Sequence, residues 1–128
     1  MPYSEVTDGI RIEVVPQYVE AQSKPQAGRY VFSYTITIHN GSGDAAQLLN
    51  RHWRILHGDG KQEEVKGPGV VGEQPHLAPG QSHTYSSFCI LATPNGSMQG
   101  SYEMVRPDGS RFDVKIPAFS LSVPYSLN

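Results

Sequence analysis

The chain is poor in cysteine, in charge and in long apolar runs, and each shortage excludes a class of protein. Cys89 is the sole cysteine among 128 residues. No internal disulfide can form, so a disulfide-stapled secreted scaffold is excluded. No apolar run approaches the ~18 residues of a membrane-spanning helix, and membrane insertion is not expected. Met1-Pro2-Tyr3-Ser4-Glu5 has neither a basic n-region nor an apolar h-region, so cytoplasmic residence is the expectation. Charged residues make up 17%, below the roughly 25% of ordinary soluble domains. The formal net charge of −2 steers the molecule toward neither nucleic acid nor an anionic membrane. Arg51-His52-Trp53-Arg54 is the one local basic segment. The length fits a single domain, residues 1–128, with one core.

What the chain has in quantity is glycine and proline, 13 and 10 residues, spaced too closely for long helices. Between them the residues alternate with period two, the mark of half-buried strands. Ile10, Ile12 and Val14 oppose Arg11 and Glu13, and Pro16 is expected to kink or end that strand, with Tyr18–Gln22 as its continuation past a bulge. Tyr30, Phe32, Tyr34, Ile36 and Ile38 share one face with Ser33, Thr35 and Thr37 opposite. A one-residue slip there would put five large side chains in water, so the register is fixed. Further strands are expected over Leu48–His57, Lys61–Lys66 (polar, hence an edge), Thr84–Ala92, Gly100–Val105 and Arg111–Ile116. Pro117 is expected to break the last of these before Phe119, Leu121 and Val123. Turns are expected at Asn40–Asp44, His57–Gly60, His76–Gly80, Asn95-Gly96 and Pro107–Gly109. Asn40-Gly41-Ser42 and Asn95-Gly96-Ser97 therefore read as turns rather than glycan sites. The count, about seven or eight strands without a long helix, predicts an all-β, antiparallel β-sandwich, with a closed barrel as the competing arrangement.

Gly67-Pro68-Gly69-Val70-Val71-Gly72 matches G-x-G-x-x-G, the spelling of a dinucleotide loop. That fingerprint needs a buried strand before it and a helix after it. Gln62–Lys66 is too polar for the first, and Pro75 and Pro79 forbid the second. Two readings remain. The glycines allow positive φ where the chain crosses between sheets, or their N–H groups form an anion-binding nest, aided by Lys66 and hindered by Glu73. Among His39, His52, His57, His76 and His83 no metal-binding spacing occurs, and His52 and His57 fall on opposite strand faces. No nucleophile elbow surrounds Ser86 or Ser87, and Cys89 lies within an apolar strand as an inert thiol. Glu63 and Glu64 point to opposite faces and make no glycosidase pair. No catalytic residue, cofactor or metal ligand is assigned. Trp53 is expected in the core, with Arg51 and His52 left for a surface contact.

Several ordered motifs resemble the ApaG family: Asn50–Ile55, Val65–Pro75, Leu77–Gly80, Tyr85–Ser87, Thr93–Tyr102 and Ile116–Leu121. They span nearly the whole chain, from about Ile10 to Pro124. The resemblance implies a small bacterial cytosolic protein with an immunoglobulin-like or fibronectin type III sandwich. It also implies a genetic association with cobalt and magnesium efflux and with a diadenosine-tetraphosphate hydrolase operon, and related eukaryotic domains that mediate protein contacts. The expectation is a non-enzymatic module in which Gly67, Gly69, Gly72, Arg51 and His52 contact an unidentified protein partner. The alternative is a nucleotide, diadenosine polyphosphate or pyrophosphate held by the Gly67–Gly72 loop, and direct metal binding is a third reading behind both.

Overall fold

The structure, a computed structural model, describes residues 3–124. It contains nine strands: β1 Tyr3–Thr7, β2 Ile10–Tyr18, β3 Tyr30–Asn40, β4 Ala46–His57, β5 Gln62–Pro68, β6 His76–Leu77, β7 Ser82–Leu91, β8 Asn95–Val105 and β9 Arg111–Ser122. Two single-turn 3₁₀ helices, Glu20–Gln22 and Pro25–Ala27, join β2 to β3. One sheet has the order β1-β2-β3-β7 and the other β5-β4-β8-β9, with the short β6 also paired to β4. All pairings are antiparallel. The sheets stack as an open sandwich, which decides against the closed barrel. The β2-β3-β7 strands facing β5-β4-β8-β9 are the fibronectin type III arrangement, to which β1 and β6 are additions.

The alternation read from the sequence is the alternation that packs. Ile10, Ile12 and Val14 of β2 meet Phe32, Tyr34, Ile36 and Ile38 of β3 in the core, against Trp53, Tyr102, Met104, Val114, Ile116, Phe119 and Leu121 from the facing sheet. Each such side chain contributes about 1.5–3 kcal/mol when fully buried. Trp53 is 3% exposed. Its ring meets Tyr34 edge-on at 5.4 Å and Phe119 at 6.0 Å, a packing worth about 0.5–1.5 kcal/mol per pair beyond area.

Five local expectations are corrected. Strand β2 continues through Pro16 to Tyr18, because β1 covers β2 only as far as Val14 and the missing N–H falls at an unpaired edge. Strand β9 runs unbroken through Pro117. The register there shifts between Met98 and Gly100, and Pro117-Ala118 form a bulge on an edge strand. Asn95-Gly96 is no turn; it opens β8, with Gly96 paired to His57 on one side and Leu121 on the other. A side chain at Gly96 would strike the Leu56 carbonyl, so glycine serves close strand approach there. Past Tyr18 the chain does not extend β2 to Gln22, since Glu20 already begins a 3₁₀ turn. Finally, the turn expected over His76–Gly80 starts only at Ala78, because His76 and Leu77 pair with Gln47 and Ala46 as β6.

The Asn40–Asp44 turn is as expected, and its chemistry is specific. Asn40 is fully buried; its Nδ2 donates to the carbonyls of Asp44 (2.9 Å) and Leu77 (3.0 Å), and its Oδ1 accepts from the Ser42 N–H. Arg106 clamps the same turn from the β8–β9 hairpin, donating to Ser42 Oγ and the Asp44 carbonyl at 2.9 and 2.8 Å.

Candidate functional site

The site is built by one irregularity in β4. Leu48 pairs with Met104 and Asn50 with Glu103, so Leu49 is an extra residue. This bulge changes the parity of the strand. Ala46 and Leu48 face the core before it, and Arg51, Trp53, Ile55 and His57 lie on that side after it. Arg51 thus emerges at the open margin of the sandwich, while His52 points to the outer face of the second sheet.

Arg51 pairs across the ladder with Gly67 of β5. Its guanidinium lies over that glycine: a Cβ at Gly67 would sit 2.9 Å from Arg51 Nη2. Nη1 donates to the carbonyls of Pro68 (2.8 Å) and Gly69 (3.0 Å). Arg51 and the glycine loop therefore form one unit, although 15 residues separate Arg51 from Gly67 in sequence. The loop itself is closed by its backbone. The Gly69 N–H donates to the Leu49 carbonyl (2.8 Å), and Val70 and Glu73 exchange bonds of 2.8 and 3.0 Å. Val71 (φ 47°) and Gly72 (φ 79°) form the two-residue turn between them, a type I′ geometry that normally takes Asn-Gly. A β-branched residue at positive φ is a true outlier. Positive φ occurs at Gly69 (63°) and Gly72 and not at Gly67, which is needed instead for the close approach of Arg51. The N–H groups of Gly69, Val70 and Glu73 are all spent on carbonyls, so they do not converge as a nest.

His52 Nε2 lies 2.9 Å from Glu64 Oε2, with Arg54 Nε 3.7 Å from the same oxygen. The His52 hydrogen bond holds the Glu64 carboxyl below its ordinary range. Arg51, His52 and Gly67 line a depression of about 450 Å³ together with Lys66, Glu103 and Asp113. Gly69 and Gly72 do not line it; they shape the turn beside it. His57, by contrast, is buried and structural. Its Nδ1 accepts from the Ala92 N–H at 3.2 Å, so Nε2 carries the proton toward Glu63 Oε1 at 2.5 Å. Burial pushes the Cys89 thiol up to about 12, the opposite of what a nucleophile requires.

One cluster has no sequence signature. Tyr34, Trp53, Tyr85, Ser87 and Arg51 surround a second cavity of about 230 Å³ at the margin between the sheets. These residues come from three strands, and each taken singly reads as an ordinary inward strand position. Among the described residues, no group of three His, Cys, Asp or Glu side chains could hold a metal ion. None of the helices there is long and apolar enough to cross a membrane.

Topology and site together define a protein of the fibronectin type III-like sandwich class, carrying an Arg-anchored glycine loop on one sheet edge. The ApaG domain model matches residues 20–106. Protein ApaG of Methylobacterium sp. (strain 4-46) is 51% identical over 123 residues, covering 96% of this chain and 95% of that protein. Protein ApaG of Pseudomonas putida (strain F1) is 52% identical over 119 residues, covering 93% and 94%. The crystal structure of the Bordetella pertussis ApaA protein superposes with a TM-score of 0.88 at 45% identity, covering 90% of this chain and 94% of that one. The chain belongs to the ApaG family.

Proposed function

We propose that this ApaG protein is a non-enzymatic cytoplasmic binding module that engages another protein through the depression around Arg51, His52 and Gly67. The observation that carries the reading is the mixture of charge in that depression. Lys66, Arg51 and His52 face Glu103 and Asp113 across it. A protein surface can complement both signs, whereas the carboxylates oppose the clustered phosphates of a nucleotide or diadenosine polyphosphate. Three of the loop N–H groups, those of Gly69, Val70 and Glu73, are already bonded to carbonyls and unavailable to such phosphates. On this reading any connection with cobalt or magnesium efflux runs through the partner and not through a bound ion, and neither nucleic acid nor membrane is a partner.

A photo-crosslinking residue at position 52 tests this in cells, with position 37 on the opposite sheet as control. The expected result is a discrete crosslinked protein from position 52 alone, lost when Lys66→Glu inverts the local charge. Equal products from both positions would count against the surface. Saturable shifts of the Gly67, Gly69 and Gly72 amides on titration with diadenosine tetraphosphate would favour the nucleotide reading instead.

A further inference from the structure

We propose that the cavity between the two sheets, walled by Tyr34, Trp53, Tyr85 and Ser87 and reached by Arg51, binds an organic carboxylate. This goes beyond the protein-binding reading, because the cavity lies on the other side of Arg51 from the outer depression.

The cavity is lined by hydrogen-bond donors and by no carboxylate. Arg51 uses only Nη1 on the protein. Among the described residues Nε and Nη2 have no acceptor, which leaves three N–H groups of a planar fork suited to a two-oxygen anion. Tyr85 supplies another donor by a relay. Tyr102 is fully buried, and its hydroxyl has one partner, the Tyr85 hydroxyl. A buried O–H must donate, so Tyr102 donates to Tyr85, and the Tyr85 O–H is left to donate into the cavity it lines. Burial raises the Tyr34 and Tyr85 phenols above their ordinary range, so both keep their protons. The Ser87 hydroxyl hydrogen-bonds the Tyr34 hydroxyl and so fixes that phenol at the cavity wall.

Size and shape narrow the ligand. A volume of about 230 Å³, at roughly 30 Å³ per water, holds about eight waters. That corresponds to a ligand the size of benzoate. Tyr34 and Trp53, in edge contact, give its flat apolar body a wall that inorganic phosphate would not use. Val71 stands on the rim, 64% exposed and held at positive φ. Strain of this kind is concentrated at ligand clamps.

The test is an amide-resolved NMR titration of the whole protein with benzoate, inorganic phosphate, and N-acetylglycyl-phenylalanine as free acid and as amide. Saturable shifts at Val71 and Ser87 are expected with benzoate and the free acid. Tenfold tighter binding of the peptide acid assigns the carboxylate to a chain terminus, and the reverse order assigns it to a free small molecule. Arg51→Met is expected to weaken binding at least tenfold, with partial rescue in Arg51→Lys. Ser87→Ala should weaken it while leaving the loop contacts of Arg51 in place, which covers the case of a misfolded Arg51 variant. His52→Ala should leave it unchanged, which separates this site from the outer surface. The proposal is overturned by the absence of saturable shifts at millimolar probe, by equal binding of acid and amide, by tighter binding of phosphate than benzoate, or by affinity indifferent to both Arg51→Met and Ser87→Ala.

Discussion

Alanine at each of the three glycines of the loop should give three different results. At Gly69 two penalties add. The residue sits at φ 63°, where an L side chain costs about 1–2 kcal/mol. Its Cβ would also strike the Glu73 carbonyl oxygen. That oxygen cannot withdraw freely, because it accepts the Val70 N–H at 2.8 Å, and opening the pair loses about 1 kcal/mol per bond. The expected destabilisation is about 2–4 kcal/mol. At Gly72 (φ 79°) only the backbone penalty applies, since nothing lies within 4 Å of the added Cβ; about 1–2 kcal/mol is expected. Gly67 has no positive φ, and its Cβ would meet the movable tip of Arg51. Its loss should be below about 1 kcal/mol, because a flexible side chain can yield where backbone cannot. Urea unfolding followed by the fluorescence of Trp53, the single tryptophan, measures all three, with an unchanged m-value certifying the comparison. A Gly72→Ala variant as unstable as Gly69→Ala, or Gly67→Ala as the most damaged of the set, would refute the geometry.

Three further outcomes are expected. Tyr85→Phe strands the buried Tyr102 hydroxyl and should cost about 1–3 kcal/mol, more than Tyr102→Phe, which leaves Tyr85 at a cavity; the opposite order in thermal unfolding would reverse the donor assignment. Cys89, with its thiol pushed up to about 12, should react with a disulfide reagent at pH 8 only as fast as the protein opens, and rapid native-state labelling would contradict its burial. Glu64 has a folded pKa below its ordinary value, so its contribution is fully present above the ordinary carboxylate range and is lost as pH falls through the lowered value; His52→Ala should return the carboxyl toward the ordinary range in an NMR pH titration.

Strict period-two patterning made much of this fold legible. Strands β2 and β3 pack as their alternation dictates; Trp53 is buried as a large aromatic on a central strand, and Cys89 as its apolar strand implied. Pro107-Asp108-Gly109 turns the β8–β9 hairpin, with Gly109 at φ 85°. The proline and Asn-Gly signals misled wherever context supplied what they lack. Pro16 and Pro117 lie on edge positions that need no N–H, and Gly96 is a packing glycine, not a turn glycine. Strand β1 escaped notice because Tyr3–Thr7 is only half-buried. At the site, the sequence singled out Arg51, His52 and the glycines, but not their arrangement. Arg51 meets Gly67, and Tyr34 meets Ser87, by ladder register, while Tyr34 meets Trp53 by sheet stacking. Neither relation leaves a spacing in the chain.

The extra residue at Leu49 has a consequence for natural and engineered variation. Deleting it would turn either Ala46 and Leu48 or Arg51, Trp53, Ile55 and His57 to the wrong face. Its carbonyl would also be lost as the acceptor for Gly69 and for Gln74 Nε2 (2.9 Å). Leu49 and Asn50, which are not in the core, should therefore tolerate substitution far better than any change of length. The same insertion or deletion should cost less in the exposed Gly58–Gly60 turn, where it opens local bonds such as Gly60 N–H to the His57 carbonyl but turns no core face outward.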